Sequence, residues 1–243
     1  MIIKNSQQDI IFNVPQEYIN IGMKVSGGAD SAILLYLLCK YIKEERPDAM
    51  ITPITIEKDI MKFHFRFSKL VIDFCKKEFP TVKFAEQIIY QHHESEANYD
   101  TTQTIVLNTL VYNKLIDCHF VGITLNPPND VQFYDTRGDI HNSPLGREDN
   151  NELRATVKKS LVNNYTSYRP LVNINKKGIY ELYREFNLID TLFPLTRSCE
   201  SKDPNKTKNY TIHCKRCWDC KERKWAFGNI NNIYDQQDDY ENI

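Results

Sequence analysis

Apolar positions along this chain recur at two alternating spacings. Residues 18–25 form a short apolar run of the kind that fills a buried strand. Residues 31–43 then carry apolar side chains at helical spacing. Residues 51–56 predict a second strand and residues 60–78 a long helix, in which Phe63, Phe67, Leu70, Val71 and Phe74 share a face. Residues 82–89 predict a third strand. Residues 101–116 predict a helix capped by Thr101 or Asp100, and residues 120–125 a fourth strand. This order predicts an α/β fold: a parallel sheet with right-handed crossovers and helices on both faces. Ligands of such sheets bind outside the carboxyl ends of the strands. The loop after Val25, the residues after Ile56 and those after Leu125 are therefore expected to meet at one cleft.

The second half is less regular. Residues 126–151 are polar and rich in Pro, Gly, Asn and Asp, a long loop of the sort that is often functional. A helix is expected over about 151–162, a short extended piece at 171–174 and a helix over 177–186. The 243 residues suffice for one full domain with a small appendage, and 41% hydrophobic and 12% aromatic content supports a real core. A net charge of −1 gives no global electrostatic case for nucleic acid. No apolar run is long enough to span a bilayer, and the first residues lack the layout of a signal peptide, so a cytoplasmic location is expected.

Between the first strand and the first helix stands Ser26-Gly27-Gly28-Ala29-Asp30-Ser31. Two glycines ending a strand let the backbone approach a phosphate closely, and the free N–H groups of the next helical turn point at it. Asp30 and Ser31 stand where an N-cap and first turn are expected. The loop is not a Walker A motif, because no lysine follows the glycines. A Gly-Gly turn alone would be an ordinary capped turn; in this strand–loop–helix setting the hexapeptide predicts a pyrophosphate cradle.

Cys39, Cys75 and Cys118 lie singly in apolar stretches and read as small buried hydrophobes. Cys199, Cys214, Cys217 and Cys220 are clustered, with two-residue gaps between the last three. Such gaps let a tight turn present successive sulfurs to one ion, and four thiolates complete a structural zinc site with no open position. Iron–sulfur ligation also uses cysteines at this spacing, and zinc is the reading preferred. His213 competes with its neighbour Cys214 as a ligand.

The hexapeptide resembles the SGGxDS loop of the PP-loop ATP pyrophosphatases, and the cysteine segment resembles the C-terminal module of the 7-cyano-7-deazaguanine synthase family within them. Ser198-Cys199, Cys214, Cys217, Cys220, Arg223 and Ala226-Phe227 carry the second likeness, with a longer gap, roughly 202–211, after the first cysteine. Pro170-Leu171 and Asn175-Lys176 resemble the family's helix-opening lysine, and Gly122 to Asn126 its Gly-x-Asn strand end. The resemblance spans about residues 18–228. It implies ATP cleavage between the α and β phosphates, with Ser26, Gly27, Gly28, Ala29, Asp30 and Ser31 on pyrophosphate and Asp30 an indirect partner of Mg²⁺. It implies adenine against the backbone at Thr55 and Ile56, Lys176 stabilising the leaving pyrophosphate, and Asp135 and Arg137 facing the substrate. Asp30 and Lys176 would be the catalytic pair. The substrates implied are a deazapurine carboxylate and ammonia, with ATP, Mg²⁺ and Zn²⁺ as cofactors, and the family often forms homodimers.

The chain departs from that family beside the cleft. Thr55-Ile56-Glu57-Lys58-Asp59 replaces a Tyr-Gly-Gln, and Thr102-Gln103 replaces an Arg-Asn. Other functions therefore stay open: a different PP-loop adenylating enzyme, amide-forming or tRNA-thiolating, or a catalytically weakened nucleotide-binding subunit of a modification or defence system. His92, His93 and Glu94 are expected in a polar loop near a strand end. The expected division is a PP-loop domain over 1–195, a four-cysteine module over 196–228 and a tail over 229–243.

Overall fold

The computed structural model describes residues 1–59, 63–93, 98–128, 130–133, 153–160 and 165–228. A short antiparallel pair, β1 (Ile2–Ile3) and β2 (Ile10–Ile11), precedes the main sheet. Then follow β3 (Asn20–Lys24), α1 (Ala29–Glu45), β4 (Met50–Lys58), α2 (His64–Glu78), β5 (Lys83–Phe84), β6 (Ile88–His92), α3 (Tyr99–Tyr112) and β7 (Cys118–Phe120). The second half adds β8 (Val157–Ser160), β9 (Tyr165–Tyr168), α4 (Lys176–Glu185), a 3-10 turn at Phe193–Leu195 and α5 (Trp218–Phe227). The main sheet runs β5-β4-β3-β7-β9-β8, with β6 also on β4; every pairing is parallel except β8 with β9. The expected α/β architecture is therefore present.

Alternate side chains of the strands feed two cores. Ile21, Met23, Val25 and Ile51 pack with buried residues of α1, α2 and α4 on one face. Ile54 and Ile56 pack with Val106, Leu107, Leu110 and Val111 of α3 on the other. The period of two in β4 thus decides which helix each residue meets.

The third strand comes in two pieces, and Pro53 supplies a reason. The Ile51 carbonyl accepts from Ala85, whereas the Ile54 carbonyl accepts from Val25 on the opposite side. Pro53 therefore faces the β5–β6 edge, where it has no N–H to give, and the edge strand leaves the ladder between Phe84 and Ile88. Other boundaries also move. The helix expected over 151–162 is not formed in its described part: residues 157–160 make the edge strand β8, with Lys158 and Lys159 on an exposed edge of the kind that resists further pairing. Tyr165–Tyr168, β-branched and aromatic in part, forms the unforeseen strand β9 between β7 and β8. Residues 171–173 form a turn rather than an extended piece. The fourth strand stops at Phe120. The cap of α3 is Asn98, whose side chain accepts from the Thr101 N–H at 2.9 Å. Among the described residues, no helix is long and apolar enough to cross a membrane.

Candidate functional site

The hexapeptide turns sharply from β3 into α1. Gly27 has φ of +80°, a conformation that L side chains rarely adopt, and a Cβ there would lie 2.5 Å from the Phe67 Cβ. The N-cap position is Gly28, without a side-chain cap, so Asp30 and Ser31 both belong to the first turn. The Ser31 hydroxyl donates to the Gly28 carbonyl at 3.1 Å and accepts from the Ser26 N–H at 3.2 Å. It also lies 3.1 Å from the Ser26 hydroxyl. The first bond of the helix ladder runs from the Ala32 N–H to the Gly28 carbonyl, which leaves the N–H groups of Ala29, Asp30 and Ser31 outside the ladder.

A cavity of about 150 Å³ opens on this loop. Ser26, Gly28, Ala29, Asp30 and Ser31 form its floor, Phe63 and His64 one side, Gly122 and Lys176 another. Gly122 allows the close approach, since a Cβ there would meet the Ser31 N at 3.1 Å. Lys176 is the first residue of α4, whose cap Asn175 accepts from the Lys177 N–H at 2.9 Å. The Lys176 ammonium donates to Asp30 Oδ2 and lies 3.9 Å from Glu222 Oε2. Asp30 Oδ1 is buried and has no hydrogen-bond partner among the described residues. An acceptor left bare at a phosphate cradle suits a hydrated divalent cation. Loop and lysine, separated by 146 positions, thus lie side by side at the cavity.

The remaining wall comes from the cysteine segment through Arg197, Ser198, Glu200 and Asp219. The Arg197 N–H donates to the Gly27 carbonyl at 2.8 Å, tying that segment to the phosphate loop. Its buried guanidinium donates to the Cys199 carbonyl at 2.6 Å and lies 4.0 Å over the Phe63 ring. Arg223 donates to the Thr196 and Ser198 hydroxyls at 3.0 and 3.3 Å and stacks 3.7 Å over Phe193. Phe227 stacks on Phe193 at 4.1 Å, which accounts for the Arg and Ala-Phe spacing. Residues 204–211 turn back so that Tyr210 packs 5.9 Å from Phe63, at the pocket's edge rather than in a purely solvated loop.

The four cysteines converge, with all Sγ atoms within 4.8 Å of one another. Cys214 to Cys220 and Cys199 to Cys217 are each 3.9 Å apart. Four thiolates on one tetrahedral ion at the usual bond length stand about 3.8 Å apart, so the set fits a single ion. Backbone N–H groups of Cys214 and Cys217 donate to Cys199 Sγ and Cys214 Sγ at 3.3 Å, which favours thiolates. Hydrogen bonds from the other three sulfurs pull the Cys214 thiol down, while sharing with Cys199 and Cys214 pushes Cys217 up. His213 Nε2 instead accepts the Ser198 N–H at 3.2 Å.

Other expected residues lie elsewhere. Thr55 and Ile56 are buried and outside the cavity lining. The Thr55 hydroxyl donates to the Val25 carbonyl at 2.7 Å, and the Ile56 carbonyl accepts from the Tyr99 hydroxyl at 2.8 Å. Asp135, Arg137 and Glu94 fall outside the described residues. His92 ends β6 and is buried against Tyr99, and His93 is exposed beside Asp59 at 3.4 Å.

His64 and Glu200 of the lining belong to a charged cluster that the sequence did not announce. Glu57 accepts from the His64 and Phe65 N–H groups and caps α2 from seven and eight positions back, a separation that conceals the role in the sequence. His64, 3% exposed, lies 3.8 Å from both Glu57 and Glu200, and Lys58 pairs with Glu200 at 2.7 Å. Burial pushes the Glu200 carboxyl up, but His64 and Lys58 outweigh it and bring its pKa down to about 2. Lys24 ends β3, where burial and the Lys58 charge outweigh Asp100 and lower its pKa to about 8.

No protein-family model and no curated protein matches this chain. Among solved structures it is similar to the U34-tRNA thiolase NcsA from Methanococcus maripaludis with its [4Fe-4S] cluster, at 15% sequence identity and a TM-score of 0.45. The match covers 79% of this chain and 63% of the thiolase chain, less than two thirds of that protein's length.

Proposed function

We propose that this chain is a PP-loop adenylating enzyme that cleaves ATP between its α and β phosphates, and that its acceptor is 7-carboxy-7-deazaguanine. The observation that carries the first part is the Ser26–Ser31 loop, with its own Asp30 met by Lys176 from 146 positions away. A substrate carboxylate oxygen attacks the α phosphorus, the bond to the bridging oxygen breaks, and pyrophosphate leaves. The N–H groups of Ala29, Asp30 and Ser31 and the Lys176 ammonium stabilise the charge that develops on it. Ammonia then attacks the acyl carbon and displaces AMP to give the amide. A second ATP adenylates the amide oxygen, and loss of AMP and protons leaves the nitrile. The protein supplies positioning and charge; no side-chain nucleophile is required.

Asp30 Oδ1 would hold hydrated Mg²⁺, which neutralises phosphate charge. Zinc is the ion assigned to Cys199, Cys214, Cys217 and Cys220. The support is their mutual spacing, since a cubane cluster must fit inside its ligand shell and holds its thiolates farther apart. Such zinc closes the module and takes no part in the chemistry. The same reading carries Asp135 and Arg137 as substrate contacts, adenine near Thr55 and Ile56 once Tyr99 moves from the Ile56 carbonyl, the division into 1–195, 196–228 and 229–243, a homodimer and a cytoplasmic location.

Pyrophosphate and AMP release on adding 7-carboxy-7-deazaguanine, ammonia and ATP tests the acceptor. ATP turnover that ignores this acid while another carboxylate or a tRNA stimulates it overturns the acceptor and keeps the adenylation. Metal analysis expects one zinc per chain; iron refutes that assignment.

A further inference from the structure

The ion cluster beneath the phosphate loop joins parts of the chain far apart in sequence. Asp30 lies in the first turn of α1, Lys176 opens α4, and Glu222 lies on α5, two residues past the last cysteine. Glu222 has no exposed surface, and Lys176 is 4% exposed. A carboxylate fully withdrawn from water is costly unless opposite charge and hydrogen bonds meet it. Here the Lys176 ammonium stands between two carboxylates: it donates to Asp30 and lies 3.9 Å from Glu222. The two differ in access. Asp30 and Lys176 line the cavity, and Glu222 lies behind it. A cation or phosphate entering the cavity competes for the Asp30–Lys176 pair and leaves Glu222 in place.

We propose that Glu222 is a positioning residue, which holds the Lys176 ammonium toward the phosphate pocket from behind and so frees Asp30 for Mg²⁺ when nucleotide binds. The inference rests on the reading of the cavity as a magnesium–pyrophosphate site. It also makes the cysteine module part of that site, because Cys217 is the N-cap of the helix that carries both Cys220 and Glu222.

The test uses the metal-loaded full chain. Without nucleotide, Lys176→Met leaves the buried Glu222 and the partly buried Asp30 around a neutral side chain and lowers the melting temperature. Adding Glu222→Gln should restore at least half of the loss. Additive losses overturn the pairing. If Lys176→Met does not accumulate folded, recovery of soluble protein in the double variant supports the pairing, and no recovery overturns it. Mg²⁺ is then titrated calorimetrically with inorganic pyrophosphate. Glu222→Gln should raise the Mg²⁺ concentration for half-saturation about tenfold, because Lys176 then leans wholly on Asp30. Glu222→Asp should restore part of the shift. A merely structural residue would lower stability and leave that midpoint unmoved, which overturns the positioning role. If the parent chain binds no pyrophosphate, the reading of the cavity fails and takes the positioning role with it, and the melting cycle separately decides whether Glu222 and Lys176 are coupled.

Discussion

On one side of the cavity, α1 buries Ala32, Ile33, Leu34, Leu35, Leu37 and Leu38 against the sheet. On the other, the cysteine segment buries Arg197, Thr207, His213, Glu222 and Arg223, with Ile212, Trp218 and Phe227 among its few large apolar side chains. The first wall is held by apolar area removed from water, which needs no particular partner. The second is held by directional bonds: Arg197 to the Cys199 carbonyl, Arg223 to Thr196 and Ser198, His213 to the Ser198 N–H. Buried polar groups of that kind stabilise when every partner is in place and cost heavily when one is lost. The difference teaches that the cavity has one wall that tolerates change and one that stands beside a cluster of four cysteines.

The sharpest way to break this comparison is to remove the ion proposed at the four cysteines. Chelation or Cys217→Ser should cost several kcal/mol within the module, abolish pyrophosphate binding and leave most of the far-ultraviolet circular dichroism of the core. Pyrophosphate binding that survives metal loss would sink the claim of a shared wall. Next comes the phosphate loop. Gly27→Ala forces a side chain into a positive φ and against Phe67, at about 3 kcal/mol or more, measured by chemical denaturation. A stable, fully binding alanine variant would contradict the geometry of the turn.

The sheet wall offers a pH test of similar or slightly smaller size. His119 on β7 is 3% exposed, and burial, with Arg169 adding to it, lowers its pKa to about 4. The unfolded residue titrates near 6.5, so on acidification protons bind the unfolded chain first. Stability is complete above pH ~6.5 and falls as pH drops towards 4, by ~3 kcal/mol at most. His119→Gln should flatten that slope between pH 6.5 and 4; an unchanged slope would assign it to other groups. The smallest effect is expected at α3, where Asn98→Ala removes the bond to Thr101 and should cost about 1 kcal/mol without altering pyrophosphate affinity.

Legibility followed the same division between walls. The strand–helix alternation up to Phe120 was readable because each element carries its own period, and β3, α1, β4 and α2 lie within a few residues of their expected places. The hexapeptide and the four cysteines were readable because their chemistry sits in adjacent letters. The antiparallel edge was not. Residues 157–160 have no period that outweighs their lysines, and they are strand because Tyr165–Tyr168 lies alongside. Arg197, Glu200 and Glu222 also gave no local signal, since each acquires its role from a partner more than ten residues away. His64 pairs with Glu57 only seven residues back, but no spacing rule of a strand or a helix links an acid at the end of β4 to the first turn of α2.

By itself, then, the chain determined the alternation of strands and helices, the conformational freedom at Gly27 and Gly28, and four sulfurs with spacing for one ion. These are short-range properties, fixed by backbone sterics and by reach along a few residues. Tertiary structure decided that the cysteine segment crosses the phosphate loop, that Thr55 and Ile56 are covered, and that Lys176 stands between Asp30 and Glu222. The Asp30–Lys176 pair spans 146 positions, and only the packing of α4 against α1 and α5 brings these charges within reach.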